Sequence, residues 1–147
     1  MNNGLAAMTL AHRSRLATVS PEVPLLSNLS VWGNIALIPQ YHQGLSTREA
    51  KARAFALLER FSLAGIAEKR NPSLTADERF LVMVLRAAAV QNAVLLLDRP
   101  FQILTGLHDD RFLAWTIAGI EDVIAEAHIF DYTWEKQRYR DPDDAAN

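Results

Sequence analysis

With 147 residues, half of them hydrophobic, the chain can bury one core and at this length has only one. Fifteen Lys and Arg against 17 Asp and Glu give a formal charge of -2, which offers no electrostatic footprint for nucleic acid or for an anionic membrane surface. The lack of cysteine excludes disulfides, zinc ribbons and thiol catalysis, and no apolar run approaches the ~18 residues of a membrane span, so the chain reads as soluble, cytoplasmic and not itself inserted in a membrane.

Residues 1–15 carry little pattern and read as a weakly ordered end. Their basic residues His12, Arg13 and Arg15 follow the small apolar stretch, whereas a secretory signal has them in front. Leu16-Ala17-Thr18-Val19 reads as a short strand stopped by Pro21 and Pro24. Val31 to Leu37 reads as helix until Pro39, and Tyr41 to Gly44 as a loop. Ser46-x-x-Glu49 is a capping box, and Ala50, Ala54, Leu57, Leu58 and Phe61 recur on one face, which predicts a helix over 46–62. A further turn or two of helix is expected over 64–69, before Asn71-Pro72. Thr75-x-x-Glu78 is a second capping box, opening a helix to about Val90 that is apolar nearly all round and therefore buried on most sides.

The unbroken run Val94 to Leu97, entered from Gln91-Asn92 and closed by Asp98, reads as a strand buried on both faces. Its carboxyl end holds Asp98, and in open α/β sheets ligands sit at that end. His108-Asp109-Asp110 places acids at a helix start, where the dipole favours them, and Leu113, Ile117, Ile120 and Ile124 form the apolar stripe that follows. Residues 127–132 read as another strand, so strand, helix and strand make one parallel βαβ unit with a right-handed connection. Residues 134–147 are charged and read as a polar tail, mobile at its end.

Two groups of residues carry a resemblance. Leu74-Thr75-Ala76-Asp77-Glu78-Arg79, then Val82 and Leu85-Arg86-Ala87-Ala88, run into Leu95-Leu96-Leu97-Asp98-Arg99-Pro100-Phe101. This resembles the ATP-binding subunits of ABC transporters, in which a Leu-Ser-Gly-Gly-Gln signature opens a helix ending Ala-Arg-Ala and the Walker B strand follows at about this spacing. Upstream, the segment from Leu25 to Leu37 is similar to the Leu-Thr-Val-x-Glu-Asn-Val-Ala stretch after the family's Q-loop, and Ala56 to Ala64 to its Leu-Leu-Glu-x-Val-Gly-Leu. The similarity covers roughly residues 16–132 and looks closest to the ATPases of lipid-asymmetry (Mla-type) importers.

The resemblance implies a helix-dominated α/β fold: a truncated P-loop ABC-ATPase-like core over 16–133, with a helical subdomain over about 25–91, a core remnant over about 92–133 and a small parallel sheet. It implies Asp98 as the Walker B magnesium ligand and Thr75 as the signature hydroxyl facing a phosphate, with Mg-ATP as the cofactor. It also implies an ABC permease or an intact ATPase subunit as partner, met through Leu25, Leu26, Leu29 and Trp32, and hence a peripheral place at the inner face of a membrane.

The chain departs from the family where the chemistry should sit. It holds no Gly-x-x-x-x-Gly-Lys-Ser/Thr loop; the lysines are Lys51, Lys69 and Lys136, and none follows a glycine. The Q-loop glutamine falls at Pro21, or at Glu22 if the register slips by one. The glutamate after the Walker B aspartate is Arg99, a group that cannot accept a proton, so no catalytic residue is assigned. The D-loop aspartate aligns with Thr105, and the switch histidine with Tyr132 or, failing that, His128. Ala76 and Asp77 replace the signature glycines and Glu78 the glutamine, setting two carboxylates where a phosphate would lie. Like charges at ~4 Å cost on the order of 1 to 4 kcal/mol each.

Asp98 is then either a strand-end acid paired with Arg99 or a vestigial magnesium ligand, and His12, His42, His108 and His128 have no metal-ligand spacing. The expectation is a non-catalytic ABC-ATPase-like protein that keeps a partner-facing surface and needs no cofactor. The alternatives are an ATP-hydrolysing subunit completed by another chain, and a self-associating structural relic. Without a Walker A strand the sheet has an open edge, which predicts a homo-oligomer.

Overall fold

The computed structural model describes residues 15–139; the expectations for residues 1–14 and 140–147 lie outside the described residues. Three parallel strands, β1 (Leu16–Val19), β2 (Val94–Asp98) and β3 (Glu126–Phe130), form one sheet in the order β1-β2-β3. Leu16 pairs with Val94 and Val19 with Leu97 on one side, and Val94 with Glu126 and Asp98 with Phe130 on the other. Every residue of β2 is buried, which is why this strand is an uninterrupted aliphatic run.

Between β1 and β2 the chain builds α1 (Val31–His42), α2 (Thr47–Glu59) and α3 (Ala76–Ala88), with short 3-10 turns at Ala64–Ile66 and Asn71–Ser73. Between β2 and β3 lie α4 (Pro100–Ile103) and α5 (Arg111–Ala118), and a 3-10 turn at Thr133–Arg138 follows β3. Both predicted capping boxes form: Ser46 Oγ accepts from Glu49 N and Thr75 Oγ1 from Glu78 N, with each glutamate returning to the cap amide. Beyond its first turn α3 is buried almost throughout, from Phe80 to Ala88 with only Arg86 partly exposed. Its Phe80, Val82, Val84 and Leu85 share one core with Ile35, Leu58, Leu95, Leu97 and Leu113. At ~1.5–3 kcal/mol for each large aliphatic or aromatic side chain buried, this helix is the largest single apolar contribution to the core.

Four expectations are corrected. Helix α1 does not stop before Pro39 but runs through it to His42, so Tyr41 and His42 are helical. Pro39 lacks the amide that would bond one turn back, but its carbonyl accepts from Gln43 N and Leu45 N at 3.2 Å, which continues the helix end beyond it, and its ring is buried. The helix expected over 46–62 ends at Glu59, while the further turn of helix expected after it forms as a 3-10 turn over Ala64–Ile66. Helix α5 ends at Ala118 and does not reach Ile124, although Ile120 is still fully buried from the turn beyond. Strand β3 begins and ends earlier than read, at Glu126 and Phe130.

The residue that follows α5 is under a steric constraint. A Cβ on Gly119 would lie 2.5 Å from Cε1 of Phe61, whose ring is itself held against Trp115 at 5.1 Å between centroids. Gly119→Ala therefore forces the buried ring off its position and should lower stability by about 1–3 kcal/mol in denaturant titration. Phe61→Leu, which vacates that space, should make a second Gly119→Ala change nearly silent; full additivity of the two would mean that the contact is not the cause.

Candidate functional site

The carboxyl end of the sheet is organised by Arg99. Its backbone is left-handed, with φ of 48° and ψ of 55°, and its amide donates to Phe130 O at 2.7 Å. This turn swings the side chain back over its own strand. Nε donates to Asp98 Oδ1 at 3.1 Å and an Nη to Asp98 Oδ2 at 3.0 Å, a two-point clamp on the neighbouring carboxylate. The same Nη donates to Glu22 Oε1 at 2.7 Å, and the Tyr132 side chain is a further hydrogen-bond partner. These hydrogen bonds, to Asp98 above all and then to Glu22 and Tyr132, hold the guanidinium far above its ordinary pKa, so it is a fixed cation.

Asp98 is 3% exposed, and its Oδ2 also accepts from the buried Ser20 Oγ at 3.0 Å. Ser20 Oγ accepts in turn from Glu22 N, and Val23 N donates to Ser20 O, so the segment after β1 folds into a tight turn beside Asp98. A cavity of about 270 Å³ opens here, lined by Asp98, Arg99, Phe130, Asp131, Tyr132, Thr133 and Trp134.

A magnesium ion needs carboxylate oxygens that are free to coordinate it in near-octahedral geometry. Both oxygens of Asp98 are already engaged by donors, and the Arg99 cation lies where a second cation would have to enter. The residues present do not fit the ion. Of the two Q-loop positions, Glu22 is the one whose side chain reaches this end of the sheet. Of the two switch positions, Tyr132 lines the cavity, whereas His128 sits within β3 and bonds Glu126 at 2.6 Å. Thr105 is exposed in the turn after α4.

Thr75 is the N-cap of α3, and its hydroxyl is occupied by the capping bond from Glu78 N at 3.1 Å. No hydrogen bond among the described residues joins Thr75 to Asp98, so the two positions singled out for nucleotide belong to separate local networks. Asp77 and Glu78 occupy the first turn of the helix, and Arg79 fastens it to Asn71 and Leu74.

The expected partner surface is only partly a surface. Leu25 is 4% exposed and belongs to the core, which corrects its assignment as a contact residue; Leu26 is 45% exposed and Leu29 half-buried. Trp32 is half-buried, with Nε1 donating to Glu68 at 3.3 Å and the Lys51 ammonium 4.9 Å from its ring centroid. Val23, 47% exposed, stands beside them and was not singled out by the sequence. Neither was Asn34, 2% exposed, whose amide accepts from Leu26 N at 2.8 Å and donates to the carbonyls of Leu26 and Ser30. Arg86 on α3 donates to the carbonyls of Val23 and Pro24. The backbone of 20–30 is thus pinned from α1, from α3 and from the end of β2.

No family model matches the sequence. Among curated proteins it is 28% identical over 102 residues to the lipopolysaccharide export system ATP-binding protein LptB of Escherichia coli, covering 68% of this chain and 42% of that protein. It is 38% identical over 95 residues to the octopine permease ATP-binding protein P of Rhizobium meliloti, covering 63% and 35%. It is 32% identical over 92 residues to a probable amino-acid ABC transporter ATP-binding protein of Sinorhizobium fredii, covering 63% and 36%. These matches support a relationship to ABC transporter ATP-binding subunits, and the helix-rich α/β fold with its small parallel sheet is consistent with a truncated core of that kind. The chain spans less than half the length of the relatives it matches.

Arg99→Met leaves the Asp98 carboxylate buried without its cation and should cost about 3–5 kcal/mol in chemical denaturation. Adding Asp98→Asn to the same chain should recover most of that loss. A single substitution with little effect would show that water already compensates Asp98.

Proposed function

We propose that this chain is a non-catalytic relative of ABC transporter ATP-binding subunits: a module that docks on a transport component and does not turn over ATP by itself. The observation that carries the reading is the Arg99 clamp. Hydrolysis in this class of site needs a cation on the strand-end carboxylate and an acceptor for the proton of the attacking water. Here a guanidinium holds that carboxylate at 3.0 and 3.1 Å, and it has no lone pair with which to accept a proton. Asp77 and Glu78 at the start of α3 support the same reading, since they set negative charge at the helix end that would otherwise attract phosphate.

The docking surface is Val23, Leu26, Leu29 and Trp32, on the segment that Asn34, Arg86 and Arg99 hold in place. Its partner is a cytoplasmic helix of an ABC permease, with systems that move lipid the first to test, given the Mla-type pattern of the sequence and the likeness to LptB. An intact ATPase subunit is the other partner of the same class. The runner-up reading is a hydrolysing subunit whose phosphate-binding loop comes from elsewhere; the retained Asp98 is what favours it.

Titration of the purified chain with ATP at millimolar magnesium should give no saturable heat. Affinity capture from native membranes should recover a permease component with the wild-type chain and much less with Leu26→Asp. ATP turnover that disappears in Asp98→Asn would overturn the non-catalytic reading, and capture that recovers no membrane component would overturn the docking one.

A further inference from the structure

Strand β3 ends at Phe130, and from Asp131 the chain continues beside the carboxyl ends of the strands as a short strap running to Tyr139. The strap is fastened at its far end. Tyr139 Oη donates to Asp131 Oδ2 at 2.6 Å, and the Tyr139 ring meets Phe101 edge-on at 5.1 Å. Arg138 lies 5.1 Å from the centre of the same Phe101 ring and donates to Leu107 O at 3.1 Å. Held in this way, Tyr132 and Trp134 stack on each other, 4.1 Å between centroids and 13° between planes, in the wall of the 270 Å³ cavity at the strand ends. One face of the Trp134 ring is taken by Tyr132, and with the residue 71% exposed the other is open.

Asp131 lines this cavity and a second one of about 290 Å³ that shares Tyr132 with it. Its half-buried carboxylate accepts from Tyr132 N at 2.8 Å through Oδ1 and from Tyr139 through Oδ2, yet among the described residues it forms no ion pair. Arg99 is taken by Asp98 and Glu22, Arg138 by Glu135 at 2.6 Å, and Lys136 makes no ion pair although it lines the second cavity. Of the charged side chains around the first cavity, Asp98 and Arg99 offset each other, and the charge of Asp131 is left over. A negative surplus between aromatic walls favours a cation and disfavours an anion. No group of three or more acidic or histidine side chains among the described residues is placed to hold a metal ion, so the cation that suits this wall is an organic one. Because both oxygens of Asp131 already accept a hydrogen bond, the wall favours a cation that carries no N–H. We propose that this cavity binds a quaternary ammonium group, the trimethylammonium of a choline-type head group, with Asp131 supplying the opposite charge and Trp134 and Tyr132 the aromatic faces. The inference rests on neither the docking nor the nucleotide reading above.

Choline chloride titrated into the full chain, against sodium chloride of equal ionic strength, should give a saturable heat and a saturable change in tryptophan fluorescence. Asp131→Asn and Trp134→Leu should each weaken binding about tenfold by calorimetry, and Trp134→Phe, which keeps a ring face, should stay within about threefold of the wild type. The neutral isostere of choline, with tert-butyl in place of trimethylammonium, should bind far less. Circular dichroism checks that the variants are folded; Trp134 is exposed, so its replacement leaves the core intact. Phosphatidylcholine vesicles that retain the chain and release it to free choline would place the head group in a bilayer. Saturation by free choline without retention on the vesicles would make the ligand a soluble one. Neither saturation nor retention would overturn the proposal, as would equal binding of the neutral isostere, or a folded Asp131→Asn chain that binds choline like the wild type.

Discussion

The guanidinium of Arg99 meets Glu22 after β1, Asp98 at the end of β2 and Tyr132 after β3, so one side chain closes the carboxyl ends of all three strands. Without a cation there, a carboxylate 3% exposed would face the full penalty of desolvation. The conformation that allows the clamp is itself unfavourable, since a left-handed backbone costs a non-glycine residue roughly 1–2 kcal/mol. It is offset by the amide bond to Phe130 O and by the two-point contact with Asp98. The same turn sets Pro100 at the first position of α4, where a missing amide costs nothing.

From this closure the arrangement of the segment between β1 and α1 follows. Glu22 is joined to Arg99, Val23 and Pro24 to Arg86, and Leu26 to Asn34, so the stretch between β1 and α1 is held at three successive points by three different elements. A segment tied so closely to the strand end cannot move unless the Asp98 cluster rearranges. With the Arg99 cation built into the cluster, the segment is tied to the sheet through groups of the protein alone, and Val23 and Leu26 are exposed on it. Preorganisation of that kind lowers the ordering cost of association.

What the sequence revealed was the part governed by local pattern. An aliphatic run closed by Asp98 reads as an interior strand, and a Ser or Thr followed three residues later by Glu satisfies its own helix start, so β2 and the starts of α2 and α3 were legible, whereas the far end of α2, expected at residue 62, lies at Glu59. The need for glycine at position 119 could not be read, because the ring that denies it a Cβ belongs to Phe61, far away in the chain. Nor could the fate of Pro39, which depends on the burial of its ring and on acceptance from Gln43 and Leu45. At the site, the identity of Arg99 signalled a missing general base, but its hold on Glu22 needed the left-handed turn, which no neighbouring residue announces. Leu25 and Leu26 look alike in sequence; only the clamp of Asn34 on the Leu26 backbone decides which of them faces in.

The distribution of helices along the chain explains why the uncovered surface falls on β3. Helices α1, α2 and α3 all precede β2, and α3 packs on β1, so this half of the sheet receives the bulk of the apolar cover. Only the short α4 and the two-turn α5 lie between β2 and β3, and they are too small to wrap the far edge. Among the described residues β3 therefore stays partly exposed along its length, with Ile129 37% exposed. The closure of the carboxyl ends and the cover of the sheet are therefore separable: Arg99 governs the first, and the placing of the helices along the chain governs the second.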